Sequence, residues 1–198
     1  MPLPTRSPAR FLALPVTLGA LALALPLQRV LAQGAPPPAC PAILQHTFAR
    51  LQDEQPQSLC QYAGKVVLVV NTASFCGFTP QYQGLEELDR KYRARGLVVL
   101  GFPSNDFSQE SGSNKQIADF CESTFGVKFP MFVKSSVRGA EANPLFKQLA
   151  AQSGTAPKWN FYKYLIGRDG TVAGSYSSVV SPTNRGFVSD VERQLGSN

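Results

Sequence analysis

The chain has 198 residues, 43% of them apolar and 16% charged, with 16 Gly, 16 Pro, four Cys, one Trp and one His, which describes one globular domain and excludes a disordered tail, a coiled coil or a disulfide-dense miniprotein. A single histidine, His46, excludes most zinc-hydrolase and Ser-His-Asp chemistry, and no cofactor or metal is expected. The formal charge of +6 could suggest nucleic acid, but its location argues otherwise.

In chain order, Arg6 and Arg10 precede an apolar run from Phe11 to Leu27, and Val30-Leu31-Ala32-Gln33 offers small residues for a signal peptidase. A positive start, a short apolar stretch and an A-x-A-like end predict a secretory signal over 1–32 and a periplasmic or secreted protein. The run is short and proline-interrupted for a spanning helix, so no stable membrane insertion is expected after cleavage. Cleavage removes Arg6, Arg10 and Arg29 and no acid, leaving 16 bases against 13 acids. The nucleic-acid argument falls with them. Residues 33–44, with three consecutive prolines, read as a leader, and the domain proper is assigned to 45–198.

A small hairpin is expected from Gln45–Leu51 and Ser58–Leu59 around an Asp53–Pro56 turn. Lys65–Asn71 is a continuous apolar run, as in a strand buried on both faces. Tyr82–Arg95 has helical periodicity and ends at Gly96, and Leu97–Phe102 is a second buried strand. Strand, helix, strand at this length predicts a parallel βαβ unit with a right-handed crossover. A polar loop, Pro103–Ser113, leads to a helix over Asn114–Thr124. Phe129–Val133 reads as a strand begun by Pro130, and Asn143–Ala151 as a helix capped by Asn143 with Pro144 first. Phe161–Ile166 and Thr171–Ser175 flank an Arg168-Asp169-Gly170 turn, a hairpin signal, and Pro182–Leu195 closes the chain as a helix. This order is that of an α/β, thioredoxin-like fold: a central mixed sheet flanked by helices, with an N-terminal β-hairpin.

Cys76 falls five residues beyond the first buried strand and just ahead of a helix. Unpaired N–H groups and the positive end of that helix favour a thiolate there. Thr79-Pro80 supplies an N-cap followed by proline at the first helical position. Position alone leaves two readings open, a reactive thiol or a small buried hydrophobe.

Asn71-Thr-Ala-Ser-Phe-Cys-Gly-Phe-Thr79 resembles the active-site motif of the glutathione peroxidase family, and Trp159-Asn160-Phe161 its second motif. Gly101-Phe-Pro-Ser-Asn105 and Phe129-Pro130-Met131-Phe132 resemble intermediate landmarks, so the likeness runs from about Gln45 to Leu195. The resemblance implies a thioredoxin-fold thiol peroxidase of the cysteine type acting on hydrogen peroxide and organic hydroperoxides. Cys76 would be the peroxidatic nucleophile, attacking the terminal peroxide oxygen to give a sulfenic acid. Trp159 and Asn160 would donate hydrogen bonds to its sulfur, although without the motif Trp159 reads as a core aromatic. The family usually has glutamine where this chain has Asp106, and a carboxylate beside a thiolate raises the sulfur pKa. Asp106 must be protonated or turned away, or Asn105 or a backbone N–H must supply the donor; as an ordinary loop aspartate it would bond local backbone.

Cys121 resembles the resolving cysteine of the thioredoxin-dependent branch, which closes a disulfide with the nucleophile; otherwise it is a core residue of a helix face. Cys40 and Cys60, outside every motif in an exported chain, are expected to pair with each other. The short segment from Asn143 to Lys158 implies a monomer recycled by a thioredoxin-like reductant, with glutathione the other donor. Two rival classes are a thiol-disulfide oxidoreductase and a non-catalytic binding module on the same fold. The first lacks its Cys-x-x-Cys in Cys76-Gly-Phe-Thr79, and the second has no need of Cys76, Trp159 and Asn160 together.

Overall fold

The structure is a computed structural model that describes residues 1–3 and 39–196. Residues 4–38, which hold the signal segment beyond its first three residues and the leader up to residue 38, therefore lie outside the described residues. Ile43 and Leu44, in the remainder of the stretch read as leader, are buried in the domain core.

Two short strands, β1 (Thr47–Ala49) and β2 (Pro56–Ser58), form an antiparallel hairpin. Pro56, expected in the turn, already pairs with Ala49 as the first residue of β2, a strand position that tolerates a missing N–H. The main sheet has the order β4-β3-β5-β6, built from β3 (Val66–Thr72), β4 (Leu97–Pro103), β5 (Lys163–Ile166) and β6 (Val172–Tyr176). β3 and β4 run parallel around α1 (Gln81–Tyr92), whereas β5 is antiparallel to both β3 and β6. α2 (Asn114–Phe125), α3 (Pro144–Ser153) and α4 (Arg185–Leu195) complete the fold.

β3 is buried along its whole length, and its side chains alternate between two cores because successive residues of a strand face opposite sides. Val66, Leu68 and Val70 pack with Tyr82 and Leu85 of α1, Ile117 and Cys121 of α2, and Phe187 and Val191 of α4. Val67 and Val69 face Leu145, Phe146 and Leu149 of α3. The unbroken valine-rich run is thus the signature of a central strand covered on both faces.

Helix ends follow the local chemistry. Ser113 and Gln116 form a capping box on α2, which ends at Gly126 with φ 63°. Asn143 and Asn184 cap α3 and α4 through the amides of Phe146 and Phe187. The Asn184 cap delays α4 to Arg185, three residues past the expected Pro182. α1 gives way after Tyr92 to a 3₁₀ turn over Arg93–Arg95.

Phe129–Val133 is not a strand of the sheet. It touches the sheet and the hairpin through isolated bridges only, Met131 to Gly101 and Phe132 to Arg50, because Pro130 has no N–H to extend a ladder. The segment still fastens the hairpin to the edge of β4. Gly101 N–H donates to Pro130 O and Phe132 N–H to Gly101 O, each at 2.9 Å, while Leu51 N–H donates to Met131 O at 2.9 Å.

Cys40 and Cys60 are joined by a disulfide, with Cα atoms 5.1 Å apart at a sequence separation of 20. Closing a loop of this length stabilises a domain by about 3 kcal/mol in the chain-entropy account. Cys76 and Cys121 are free thiols.

Candidate active site

Cys76 sits in the turn joining β3 to α1, and Thr79 organises that turn. The Thr79 hydroxyl accepts from Cys76 N–H at 3.0 Å and donates to Ala73 O at 2.9 Å. It is therefore committed to the turn and does not cap α1, whose N-terminal flank is Pro80 with no side-chain cap. The expected Thr79 cap is corrected on this point: a hydroxyl that closes the loop ahead of a helix cannot also reach forward into its first turn.

The sulfur lies just beneath the surface. Cys76 is 7% exposed, whereas Phe75 beside it in sequence is 67% exposed and Trp159 of the second motif 41%. The sulfur accepts a hydrogen bond from Phe78 N–H at 3.4 Å, a backbone donor of the segment leading into α1.

The remaining candidates divide. Asn160 is fully buried and gives its side-chain N–H to Gln109 Oε1 at 2.9 Å. Trp159 packs on Phe107 with ring centroids 5.4 Å apart, and the Arg138 guanidinium lies 4.6 Å from the Phe107 centroid. Among the described residues neither Trp159 nor Asn160 is hydrogen-bonded to the Cys76 sulfur, which corrects the expectation of direct donation in this structure. A glutamine oxygen is the better acceptor for the amide, and it holds it.

Asp106 is turned away. Its carboxylate accepts from Ser136 Oγ at 2.7 Å, Val137 N–H at 2.7 Å and Arg138 N–H at 3.1 Å. Of the alternatives left open by the sequence, Asp106 thus binds a neighbouring loop and does not face the thiol. Asn105 is also engaged, its Oδ1 accepting from Glu110 N–H at 2.9 Å.

Two residues of the same loop escaped the sequence reading. Gln109 holds Asn160 through its side chain and accepts from Phe75 N–H through its carbonyl at 3.1 Å. Glu110 is fully buried, and one carboxylate oxygen accepts from both the N–H and the hydroxyl of Ser74, at 2.8 and 3.0 Å. Burial raises the Glu110 pKa, opposed by the two Ser74 hydrogen bonds and by Lys134. The loop therefore laces the nucleophile turn to the Trp159–Asn160 turn. The available signal was Gln109-Glu110 inside a polar stretch, and polarity alone gives no hint that a loop carboxylate is buried.

Cys121 lies on α2 at 2% exposure, within the same core as Cys76. Burial pushes its thiol up to about 11, the Glu110 charge adds to this, and the Tyr82 hydroxyl opposes it. As folded here it is a protonated thiol. Among the described residues no group of three His, Cys, Asp or Glu side chains converges as a metal-ligand set.

A parallel β3–α1–β4 unit joined to an antiparallel β5–β6 pair and a closing helix, with a cysteine in the β3–α1 turn, defines the thioredoxin-like class of fold. Within that class the match is specific. The family model for glutathione peroxidase matches residues 44–150. The chain is 46% identical over 158 residues to the hydroperoxy fatty acid reductase gpx1 of Synechocystis sp., covering 74% of this chain and 92% of that protein. It is also 46% identical over 149 residues to the glutathione peroxidase-like peroxiredoxin gpx1 of Schizosaccharomyces pombe, covering 73% and 93%. The crystal structure of Trgpx in apo form superposes with a TM-score of 0.61 at 35% identity, covering 77% of this chain and 95% of that one. The chain belongs to the glutathione peroxidase family.

Proposed function

We propose that this peroxidase reduces hydrogen peroxide and organic hydroperoxides with Cys76 as its nucleophile. The observation that carries the assignment is the Cys76 sulfur at the entrance of α1, shallowly covered and accepting the Phe78 N–H. The thiolate attacks the terminal peroxide oxygen, the O–O bond breaks, and the leaving oxygen takes a proton to depart as water or alcohol, leaving Cys76 as sulfenic acid. Trp159 and Asn160 frame the site from the second turn. Asn160 spends one amide hydrogen on Gln109 and keeps another for the reacting oxygens. Asp106 acts at a distance from the chemistry, as a brace for the 136–138 loop.

Cys121 resolves the intermediate: its sulfur attacks Cys76, a Cys76–Cys121 disulfide forms, and the sulfenic oxygen leaves as water. A dithiol of the thioredoxin type then reduces that disulfide by exchange. The buried, protonated state of Cys121 supports a step in which α2 opens locally around Phe120–Thr124 before attack. Thr79 stands where a Cys-x-x-Cys enzyme needs its second sulfur, and its hydroxyl is consumed in holding the turn, which favours peroxide reduction over disulfide interchange.

The segment 1–32 is proposed as an export signal and the mature protein as a periplasmic or secreted monomer. The Cys40–Cys60 disulfide supports an oxidising compartment. Among the described residues no helix is long and apolar enough to cross a membrane.

The test is peroxide consumption by Cys76→Ser, a small change at a site whose neighbours need no sulfur to fold. It is expected to abolish activity while the unfolding midpoint stays put; full activity would end the assignment. Turnover measured with thioredoxin and separately with glutathione identifies the donor.

A further inference from the structure

The pairing of β3 with β5 stops at Val70 and Lys163. One residue further, a regular ladder would set Asn71 against Tyr162 and both partners would exchange backbone hydrogen bonds. The chain does something else. Asn71 N–H donates to Tyr162 O at 3.3 Å, but Asn71 O accepts from Phe161 N–H at 2.6 Å. Two residues thus oppose one, which is a β-bulge, and Phe161 takes φ 61° to make it, a left-handed conformation rare for a bulky side chain.

The Asn71 side chain and Lys163 satisfy what the bulge leaves over. Asn71 Oδ1 accepts from the displaced Tyr162 N–H at 3.0 Å, and Asn71 Nδ2 donates to Trp159 O at 3.1 Å. Lys163 Nζ donates to Phe161 O at 2.7 Å. Asn71 and Lys163 are both fully buried, so water cannot replace either partner. Backbone amide, backbone carbonyl, side-chain nitrogen and side-chain oxygen of a single residue therefore all bind one four-residue turn.

That turn carries Trp159 and Asn160, and Asn71 belongs to the strand that leads into the Cys76 turn. Bulges beside active sites re-aim side chains. Here the extra residue sends Asn160 inward to Gln109 and leaves Trp159 half exposed against Phe107. We infer that Asn71, assisted by Lys163, is the positioning residue of this site: it fixes the bulge that sets Trp159 and Asn160 against the nucleophile turn. The kinetic consequence rests on the peroxidase function proposed above, whereas the conformational one does not.

Trp159 is the one tryptophan of the chain, so its emission reports on this turn alone. Asn71→Asp keeps the acceptor for Tyr162 N–H and sets an oxygen against Trp159 O in place of the donor. Its expected signature is a red-shifted, more readily quenched emission together with a fall of about tenfold or more in the rate at which peroxide oxidises Cys76, since small misplacements near reacting atoms cost at least that much. A folded Asn71→Asp with unchanged emission and unchanged rate overturns the inference, and so does one that merely loses stability while both readouts hold. Should that variant fail to fold, Lys163→Met, which keeps an unbranched side chain one atom shorter and removes the donor to Phe161 O, must move both readouts in the same direction; if it moves neither, the inference is overturned. A wild-type protein inactive on peroxide would sink the proposed function and leave the emission shift to decide this one.

Discussion

Asn160 and Gln109 are joined by a 2.9 Å hydrogen bond between the buried amide nitrogen of the first and the side-chain oxygen of the second. The bond ties the second motif to the loop that also receives Phe75 N–H. Gln109→Leu removes the acceptor at similar volume and strands a buried donor. Stability is expected to fall by about 1–3 kcal/mol, and peroxide turnover to fall with it because Asn160 is no longer held. Denaturant unfolding and steady-state kinetics on the same preparation check both effects. Turnover equal to wild type would show that Asn160 needs no such support.

Asp106 makes three hydrogen bonds to the Ser136–Arg138 turn. Asp106→Ala is accordingly expected to lower the unfolding midpoint while leaving the rate of Cys76 oxidation unchanged. Stopped-flow oxidation of the reduced enzyme separates the two quantities. A slowed reaction in a fully stable variant would instead return Asp106 to the chemistry.

The proposed attack of Cys121 on Cys76 is expected to require opening of α2, because Cys121 is buried and its thiol is pushed up to about 11. Cys121→Ser should consume one equivalent of peroxide at the normal rate and then stop under thioredoxin. Mass spectrometry should find sulfenic or sulfinic acid accumulating on Cys76, since no thiol intercepts it. Undiminished thioredoxin-driven turnover would assign resolution to another thiol.

Lys163 gives a pH signature. Burial pushes its ammonium down to about 7 from an ordinary 10.5. Above pH 7 the folded chain releases a proton that the unfolded chain keeps, so stability rises as pH increases. Below about 7 both states are protonated and the full cost of the buried charge is present. From about 9 upward Cys121 acts in the opposite sense, because the unfolded thiol ionises there and the folded one does not. The clean window is therefore pH 7 to 9, where the wild-type unfolding midpoint is expected to climb and that of Lys163→Met to climb less. Identical slopes for the two proteins would contradict a depressed Lys163.

The order of strands and helices was legible in the sequence because each element states its own burial. Val66 to Val70 announces a strand covered on both faces, Asn143-Pro144 opens α3, and Cys76 between a strand and a helix stands out as a candidate, although its position alone left a reactive thiol and a buried small hydrophobe both open. Such signals are local: a run of apolar residues, a cap, a spacing within one turn. The partners of the polar side chains were not legible, because they are settled by which loops the fold brings together. Asp106 is 30 residues from Ser136, Gln109 is 51 from Asn160, and Asn71 is 88 from Trp159. The proline that marked Phe129–Val133 as a strand start also kept it from being one, since a missing N–H matters only once β4 is beside it. The Phe161 bulge was invisible for the same reason: it exists because Asn71 offers four hydrogen bonds to a turn far away in the chain, and only the closed sheet puts the two within reach.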